Sequence, residues 1–254
     1  MGGSYPGALA AWFQASFPGK ADVAWSSSGV IVPIRDFVNF DLDIYQATLR
    51  SGPECPAAIQ AMTAFLDAAL DKGGADLAYV KQVFGFDKMD FGDFMFYIAD
   101  IFTESVQYGG REDLCNVLAS LQGTDMKQQL PVLRQYGSQK GVNIADYDRA
   151  NLKATTIDVN KSGRQWTWQY CTEFGWFQVP NPDHPMRSQK IASKYWLPFC
   201  QSLFGADLKE PNIQYYLDKY GGLNLKAKNL VLVNNIEDPW QYAGMRQLTS
   251  PTGD

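Results

Sequence analysis

The residue best placed for chemistry is a serine set among glycines, in Gly2-Gly3-Ser4-Tyr5-Pro6-Gly7, followed at once by an apolar helical pattern. A serine hydroxyl becomes a usable nucleophile when a sharp strand-to-helix turn exposes it and small neighbours let backbones approach closely. The amide of the next residue, Tyr5, then points at the carbonyl oxygen of a bound acyl substrate. Aided by the helix N-terminus, it stabilises the oxyanion that develops there. The match to G-x-S-x-G is imperfect, because Pro6 stands at the last glycine and Gly7 follows one place later. The same residues also suit a glycine-rich turn with an N-capping serine, so the spacing alone leaves both uses open. A second candidate place lies late in the chain, where Asn229-Leu230-Val231-Leu232-Val233 reads as a strand ending in the polar turn Asn234-Asn235-Ile236-Glu237-Asp238. In open α/β sheets ligands sit beyond the carboxyl ends of the strands. Glu237 reads as a solvated neighbour of Asp238 rather than as half of a carboxylate pair, since adjacent side chains point in different directions.

These positions need a scaffold. Residues 4–17 read as a helix with Leu9, Trp12, Phe13 and Phe17 on one stripe, stopped by Pro18-Gly19. Residues 21–34 read as a buried strand running into a loop, and turn, helix, strand is the rhythm of a doubly wound parallel sheet. From about Arg35 the texture becomes helical. Ile59, Met62, Phe65, Leu66, Ala69 and Leu70 share one face, as do Phe91, Phe94, Met95, Ile98 and Phe102, and further helices are expected over 112–121, 126–136 and 188–204. The expected architecture is α/β: sheet pieces at 1–35 and 211–254, with a large helical domain, 36–210, inserted between them.

Composition narrows the function classes. With 254 residues, 46% hydrophobic and 19% charged, the chain is globular, and its net charge of −5 offers no broad cationic field for nucleic acid or an anionic membrane. Peptides, small molecules or proteins are the expected partners. No apolar run approaches the ~20 residues that span a bilayer. The opening Met1-Gly2-Gly3-Ser4-Tyr5 has neither a basic start nor an apolar segment of the signal-peptide kind, so the chain reads as cytosolic or as lacking its beginning. Cys55, Cys115, Cys171 and Cys200 form no CxxC pair and no Cys/His cluster, which argues against a metal or redox site and leaves two disulfides or four buried thiols. No cofactor motif is present. Asn160-Lys161-Ser162 is a glycosylation acceptor sequence suited to the secretory route. The aromatic run around Trp166, Trp168 and Tyr170, with Trp176 and Phe177, is either core packing or the wall of a pocket.

Four landmarks, in order, carry a resemblance. Gly2-Gly3-Ser4-Tyr5-Pro6-Gly7 with Leu9-Ala10-Ala11-Trp12, then Trp25-Ser26-Ser27-Ser28-Gly29, then Gln169-Tyr170-Cys171-Thr172-Glu173-Phe174-Gly175, and finally Tyr220-Gly221-Gly222 with Asn234-Asn235-Ile236-Glu237-Asp238-Pro239-Trp240 resemble the serine peptidase family of lysosomal Pro-X carboxypeptidase, dipeptidyl peptidase II and thymus-specific serine protease. Asn235 departs from the family glycine. The resemblance covers the whole chain and implies an incomplete α/β-hydrolase sheet with a helical cap, Ser4 as nucleophile, the Tyr5 amide as oxyanion donor and Asp238 as the acid that orients a histidine. It implies Trp240 at the specificity pocket for proline, with Trp176 and Glu173 as further pocket candidates, Glu173 either holding a peptide terminus or satisfying buried backbone donors. It also implies disulfides Cys55–Cys115 and Cys171–Cys200, and a lysosomal, vacuolar or secreted parent protein. The one histidine, His184, precedes Asp238 in a Pro-Asp-His-Pro loop and reads as an exposed loop residue, so the chain is expected to be a fragment without its catalytic histidine. The implied activity is a proline-directed exopeptidase working through an acyl-enzyme; a non-catalytic relative and an esterase or lipase of the same fold are the alternatives.

Overall fold

The computed structural model describes residues 1–246. In chain order its elements are β1 (Gly2–Gly3), α1 (Tyr5–Ser16), β2 (Ala24–Ser27), β3 (Ile34–Asp36), α2 (Val38–Leu49), α3 (Glu54–Lys72), α4 (Gly74–Phe84), α5 (Phe91–Gln107), α6 (Arg111–Ser120), α7 (Met126–Gln139), α8 (Arg149–Leu152), α9 (Gly163–Gln169), β4 (Gly175–Phe177), α10 (Ser193–Phe204), α11 (Ile213–Tyr220) and β5 (Leu230–Val233). The chain is therefore a mixed helix and sheet fold in which many helices accompany a small parallel sheet.

That sheet has the order β1-β2-β5, all parallel, with Gly3 opposite Ser27 and Ser27 opposite Val233. Parallel neighbours need a crossover. Helix α1 supplies it between β1 and β2, while the long helical stretch returns the chain to β5. Because all three strands run the same way, the residues after Gly3, Ser27 and Val233 emerge at one end of the sheet.

Among the described residues, only one face of the sheet is covered. Ala24 and Ser26 are buried beneath α1, whereas Trp25 and its register partner Val231 face solvent with Val233. The expectation of a buried strand over 21–34 is corrected accordingly: β2 is four residues long and half-exposed. The expected stripe on α1 is also corrected. Trp12 is buried together with Ala8 and Ala11, but Leu9, Phe13 and Phe17, on the helix side turned from the sheet, are about half exposed at 46%, 47% and 52%. A second, two-stranded parallel sheet, β3 with β4, was not foreseen. Ile34-Arg35-Asp36 and Gly175-Trp176-Phe177 are too short for an alternation to show.

The α3 and α5 patterns pack as their spacing requires. Ile59, Met62 and Leu66 meet Phe94, Ile98 and Phe102 with Leu114 and Leu130 in the largest apolar cluster, each fully buried side chain contributing about 1.5–3 kcal/mol. Asp90 caps α5 by accepting from the Gly92 amide at 2.8 Å. Disulfides join Cys55 to Cys115, linking α3 to α6, and Cys171 to Cys200, linking the turn before β4 to α10, at Cα separations of 5.3 and 5.6 Å. Two arginines pair with buried carboxylates: Arg149 grips Asp93 through two 2.7 Å bonds, and Arg187 meets Asp41 at 3.0 Å. Among the described residues no helix is long and apolar enough to cross a membrane.

Candidate active site

Ser4 is the one-residue joint between β1 and α1, and its backbone is forced into φ 57°, ψ −129°. A non-glycine residue there stores on the order of 1–3 kcal/mol of strain. The conformation is held from both sides, by the Ser4 amide donating to the Ser27 carbonyl at 2.9 Å and the Ser4 carbonyl accepting from the Ala8 amide at 3.1 Å. The side chain is exposed at the carboxyl end of the sheet. The Tyr5 amide, first of α1, has no acceptor within the helix and is available to a ligand oxygen beside Ser4. The Tyr5 ring packs on Phe174, Trp166 and Trp12 at 5.5, 6.1 and 6.4 Å.

The irregular glycine spacing has a steric explanation. A Cβ on Gly2 would lie 2.1 Å from the Pro6 carbonyl oxygen, and one on Gly7 would lie 3.1 Å from the Gly2 carbonyl oxygen, so both glycines let the start of α1 close onto β1. Gly7 serves a further contact as well. Its Cβ would meet the Ser27 oxygen at 2.9 Å and the Gly29 Cα at 3.1 Å, so it sets how closely α1 lies on the end of β2.

Asp238 lies in the turn after β5, buried, at the same end of the sheet as Ser4 and one strand beyond its neighbour. Two strand spacings separate β1 from β5, about 10 Å. Its Oδ1 accepts from the Trp240 amide at 3.0 Å, and the Ser28 side chain lies nearby. Burial pushes the Asp238 carboxyl above the usual carboxylate range, with the Trp240 amide and the nearby Ser28 pulling the other way. Asn235 does without the family glycine because its φ is not positive, and its side chain accepts from the Glu237 amide at 3.3 Å.

Glu237 is not a solvated neighbour. Its carboxylate takes Arg111 at 3.0 Å and Arg50 at 3.7 Å, so the turn is clamped to α6 and to the end of α2. Trp240 donates its indole N–H to Gln107 of α5 at 2.9 Å, and Gln241 donates to Asp43 of α2 at 2.6 Å. Ser28, Asp43, Gln107 and Arg111 were not foreseen. Only Ser28 left a sequence trace, in the serine run after β2.

A cavity of about 470 Å³ opens beside Ser4, walled by Trp240, Trp166, Tyr170, Gln178 and the face of α5 that carries Phe96, Asp100 and Glu104. Trp176 lies outside that wall. It is buried, stacked on Phe174 at 4.7 Å and edge-on to Trp240 at 6.1 Å, with its indole N–H on the Val32 carbonyl at 2.8 Å. Glu173 also lies outside it and borders a neighbouring, larger hollow of about 1530 Å³ with Trp168 and Arg164. Burial, and then the charge of Glu173, push the Tyr216 phenol up to about 12. His184 is exposed and stacked flat on Tyr45 at 4.1 Å, and is not in the wall around Ser4. Asn160 lies on an exposed stretch.

Comparison with known proteins bears on this geometry. Residues 1–252 match the model of the serine carboxypeptidase S28 family. This chain belongs to that family. It is 34% identical over 255 residues to the "Probable serine protease EDA2" of Arabidopsis thaliana, covering 98% of this chain and 50% of that protein. It is 26% identical to human thymus-specific serine protease over 97% of this chain and 54% of that protein. With human lysosomal Pro-X carboxypeptidase the identity is 24%, over 96% and 53%. The chain thus spans about half the length of the curated relatives it matches.

Proposed function

We propose that this chain carries the nucleophile and the orienting acid of a serine-type exopeptidase that cleaves peptides beside proline or a small apolar residue. The observation that supports this best is the backbone of Ser4, bent to φ 57° between a strand and a helix, with its hydroxyl exposed next to the first helical amide. In this reading a histidine bridges Ser4 and Asp238 and takes the proton from the Ser4 hydroxyl as its oxygen attacks the scissile carbonyl. The Tyr5 amide stabilises the resulting oxyanion. Collapse expels the leaving amine, protonated by the same histidine, and water then hydrolyses the acyl-enzyme. Trp240 offers a flat apolar wall to a prolyl ring, and its backbone amide keeps the Asp238 carboxylate aimed.

His184 is the only histidine in the sequence, and its exposed position stacked on Tyr45 supports leaving it out of this role, with the base supplied by a histidine outside this sequence. We assign 1–35 and 211–254 to the hydrolase sheet and 36–210 to a helical cap. The two disulfides and an exposed Asn160 suit an oxidising compartment, lysosomal, vacuolar or extracellular.

The test is turnover of a chromogenic proline-containing dipeptide by the 254-residue chain and by a version extended at both ends. The extended protein is expected to be active, to lose turnover with Ser4→Ala and to lose about 10⁴-fold in kcat with Asp238→Asn. The 254-residue chain is expected to be silent. Turnover by that chain that His184→Ala abolishes would refute the assignment of the base.

A further inference from the structure

We infer that the larger hollow, on the far side of α9 from Ser4, is an outer subsite for a large apolar side chain of a peptide, held a few residues from the scissile bond, and that the segment 153–162 folds over it. The inference rests on the peptidase reading and deepens it by naming the substrate class as peptides that carry such a side chain.

Helix α9 is the partition between two spaces. Its Trp166 and Tyr170, one turn apart, line the Ser4 cavity, whereas Gln165, Trp168 and Gln169 line the hollow of about 1530 Å³. The two spaces meet at the start of the helix, where Gly163, Leu152, Asn143 and Asp146 belong to both walls. A peptide seated at Ser4 therefore has a path over that end of α9. Passing a helix ~10 Å across takes about three extended residues.

The fixed wall of the hollow is an aromatic corner. Trp168 meets Phe204 edge-on at 5.1 Å, and the Arg164 guanidinium lies on the Phe204 ring at 4.6 Å. Arg164 is itself held, donating to the Leu152 carbonyl at 2.8 Å and to the Leu203 carbonyl at 3.3 Å. The corner is thus set before any ligand arrives, yet the Trp168 side chain is left 46% exposed.

The other wall is the segment 153–162, exposed throughout. The amides of residues 155–159 donate no backbone hydrogen bond among the described residues, so between its ends nothing has to break for this segment to move. It also carries apolar side chains that contact almost nothing: Ile157, which lines the hollow, is 89% exposed and Val159 is 93% exposed. Single apolar residues on a surface need no explanation, but Ile157 and Trp168 border one concave space. An apolar side chain seated on the corner removes Trp168 from water and gives Ile157 a surface to close on, so both burials favour the same closed state.

The probes are two peptides built on N-acetyl-Ala-Pro-amide, one extended by Gly-Gly-Phe at the carboxyl end and one by Phe-Gly-Gly at the amino end, each beside a control with Gly in place of Phe. They are titrated into the 254-residue chain and followed by calorimetry, a readout that needs no catalysis. At one of the two ends Phe is expected to bind about 10- to 100-fold more tightly than Gly, and that end is the one that crosses α9. Trp168→Ala is expected to erase the gain and Ile157→Ser to reduce it while circular dichroism stays native, since both side chains are exposed. Hydrogen exchange over 153–162 is expected to slow about 10-fold with the Phe peptide and to be unchanged with its Gly control. Equal affinity for Phe and Gly at both ends, a gain that survives Trp168→Ala, or exchange over 153–162 that does not respond to the Phe peptide would overturn the subsite. Failure of the peptidase reading shows separately, as turnover by the extended protein that persists with Ser4→Ala.

Discussion

The glycines around Ser4 make a quantitative prediction because the three of them face different obstacles. In Gly2→Ala the new methyl would lie 2.1 Å from the Pro6 oxygen and 2.4 Å from its carbonyl carbon, both backbone atoms of the first turn of α1. Neither can rotate away, so the helix start must move, at a cost of about 3 kcal/mol or more. In Gly7→Ala the methyl meets three backbone atoms at 2.9 to 3.1 Å, costing ~1–3 kcal/mol, from which the helix propensity of alanine over glycine returns at most ~1 kcal/mol. The net is a loss of about 1–2 kcal/mol. In Gly3→Ala the nearest atom is the Ser27 oxygen at 3.9 Å, and Gly3 has no positive φ, so the change is neutral, or stabilising by up to ~1 kcal/mol through the unfolded chain. For a chain of this size 1 kcal/mol moves Tm by roughly 2–4 °C. Thermal unfolding by circular dichroism should therefore rank the variants Gly3→Ala, Gly7→Ala, Gly2→Ala from least to most destabilised, the last down by about 6 °C or more. A Gly3→Ala variant as damaged as Gly2→Ala, or a Gly7→Ala variant more stable than the parent, would refute the steric account of the turn.

Three other perturbations follow from the packing. Loss of Cys171–Cys200 or Cys55–Cys115, which close loops of 29 and 60 residues, should cost about 3.5 and 4.5 kcal/mol respectively in the loop-entropy model, measured by urea unfolding of the alanine double variants. Arg187→Met leaves the buried Asp41 carboxylate without its counterion, although two amides still bond it, and should cost ~3–5 kcal/mol, partly restored by adding Asp41→Asn. Burial first, and then the nearby Asp238, raise Asp43 to about 7, above the ~3.9 of an unfolded chain. The folded state thus holds that proton more tightly, and the stabilisation it brings is complete below about pH 4 and lost as pH rises to about 7. Asp43→Asn should flatten the decline of Tm between pH 4 and 7 and be more stable than the parent at pH 8, by at most about 4 kcal/mol; identical pH profiles for the two proteins would contradict it.

What was legible in the sequence was what depends on neighbours along the chain. The turn at Ser4, the α3 and α5 faces and the Leu230–Val233 strand are local patterns with a physical period, and each lies where its residues put it. The exposed Leu9, Phe13 and Phe17 were misread because periodicity identifies an apolar stripe without saying what covers it. Helix α2 went unread, since Val38–Leu49 sets Asp41 and Asp43 on its buried side, and those carboxylates belong there only once Arg187 and Gln241 arrive from the far end of the sequence. The partners of the Asp238 turn were hidden for the same reason: Gln107 and Arg111 are more than a hundred residues from the groups they hold.

Those hidden contacts bear on how the site is kept. The Asp238 turn rests on the sheet through a single short strand, yet side-chain bonds tie it to helices, among them Glu237 to Arg111, Trp240 to Gln107 and Gln241 to Asp43. The Gln107 tie runs along α5, the same helix that presents Asp100 and Glu104 to the cavity. A shift of α5 therefore moves its cavity-lining face and the Trp240 wall together, so their spacing is kept even as their distance from Ser4 changes. Ser4 is braced separately, through Ser27 and Ala8. In the proposed peptidase, the seating of a peptide against Ser4 would then depend on how α5 sits over the sheet, which would make the Gln107–Trp240 bond a positioning contact beside the residues that touch substrate.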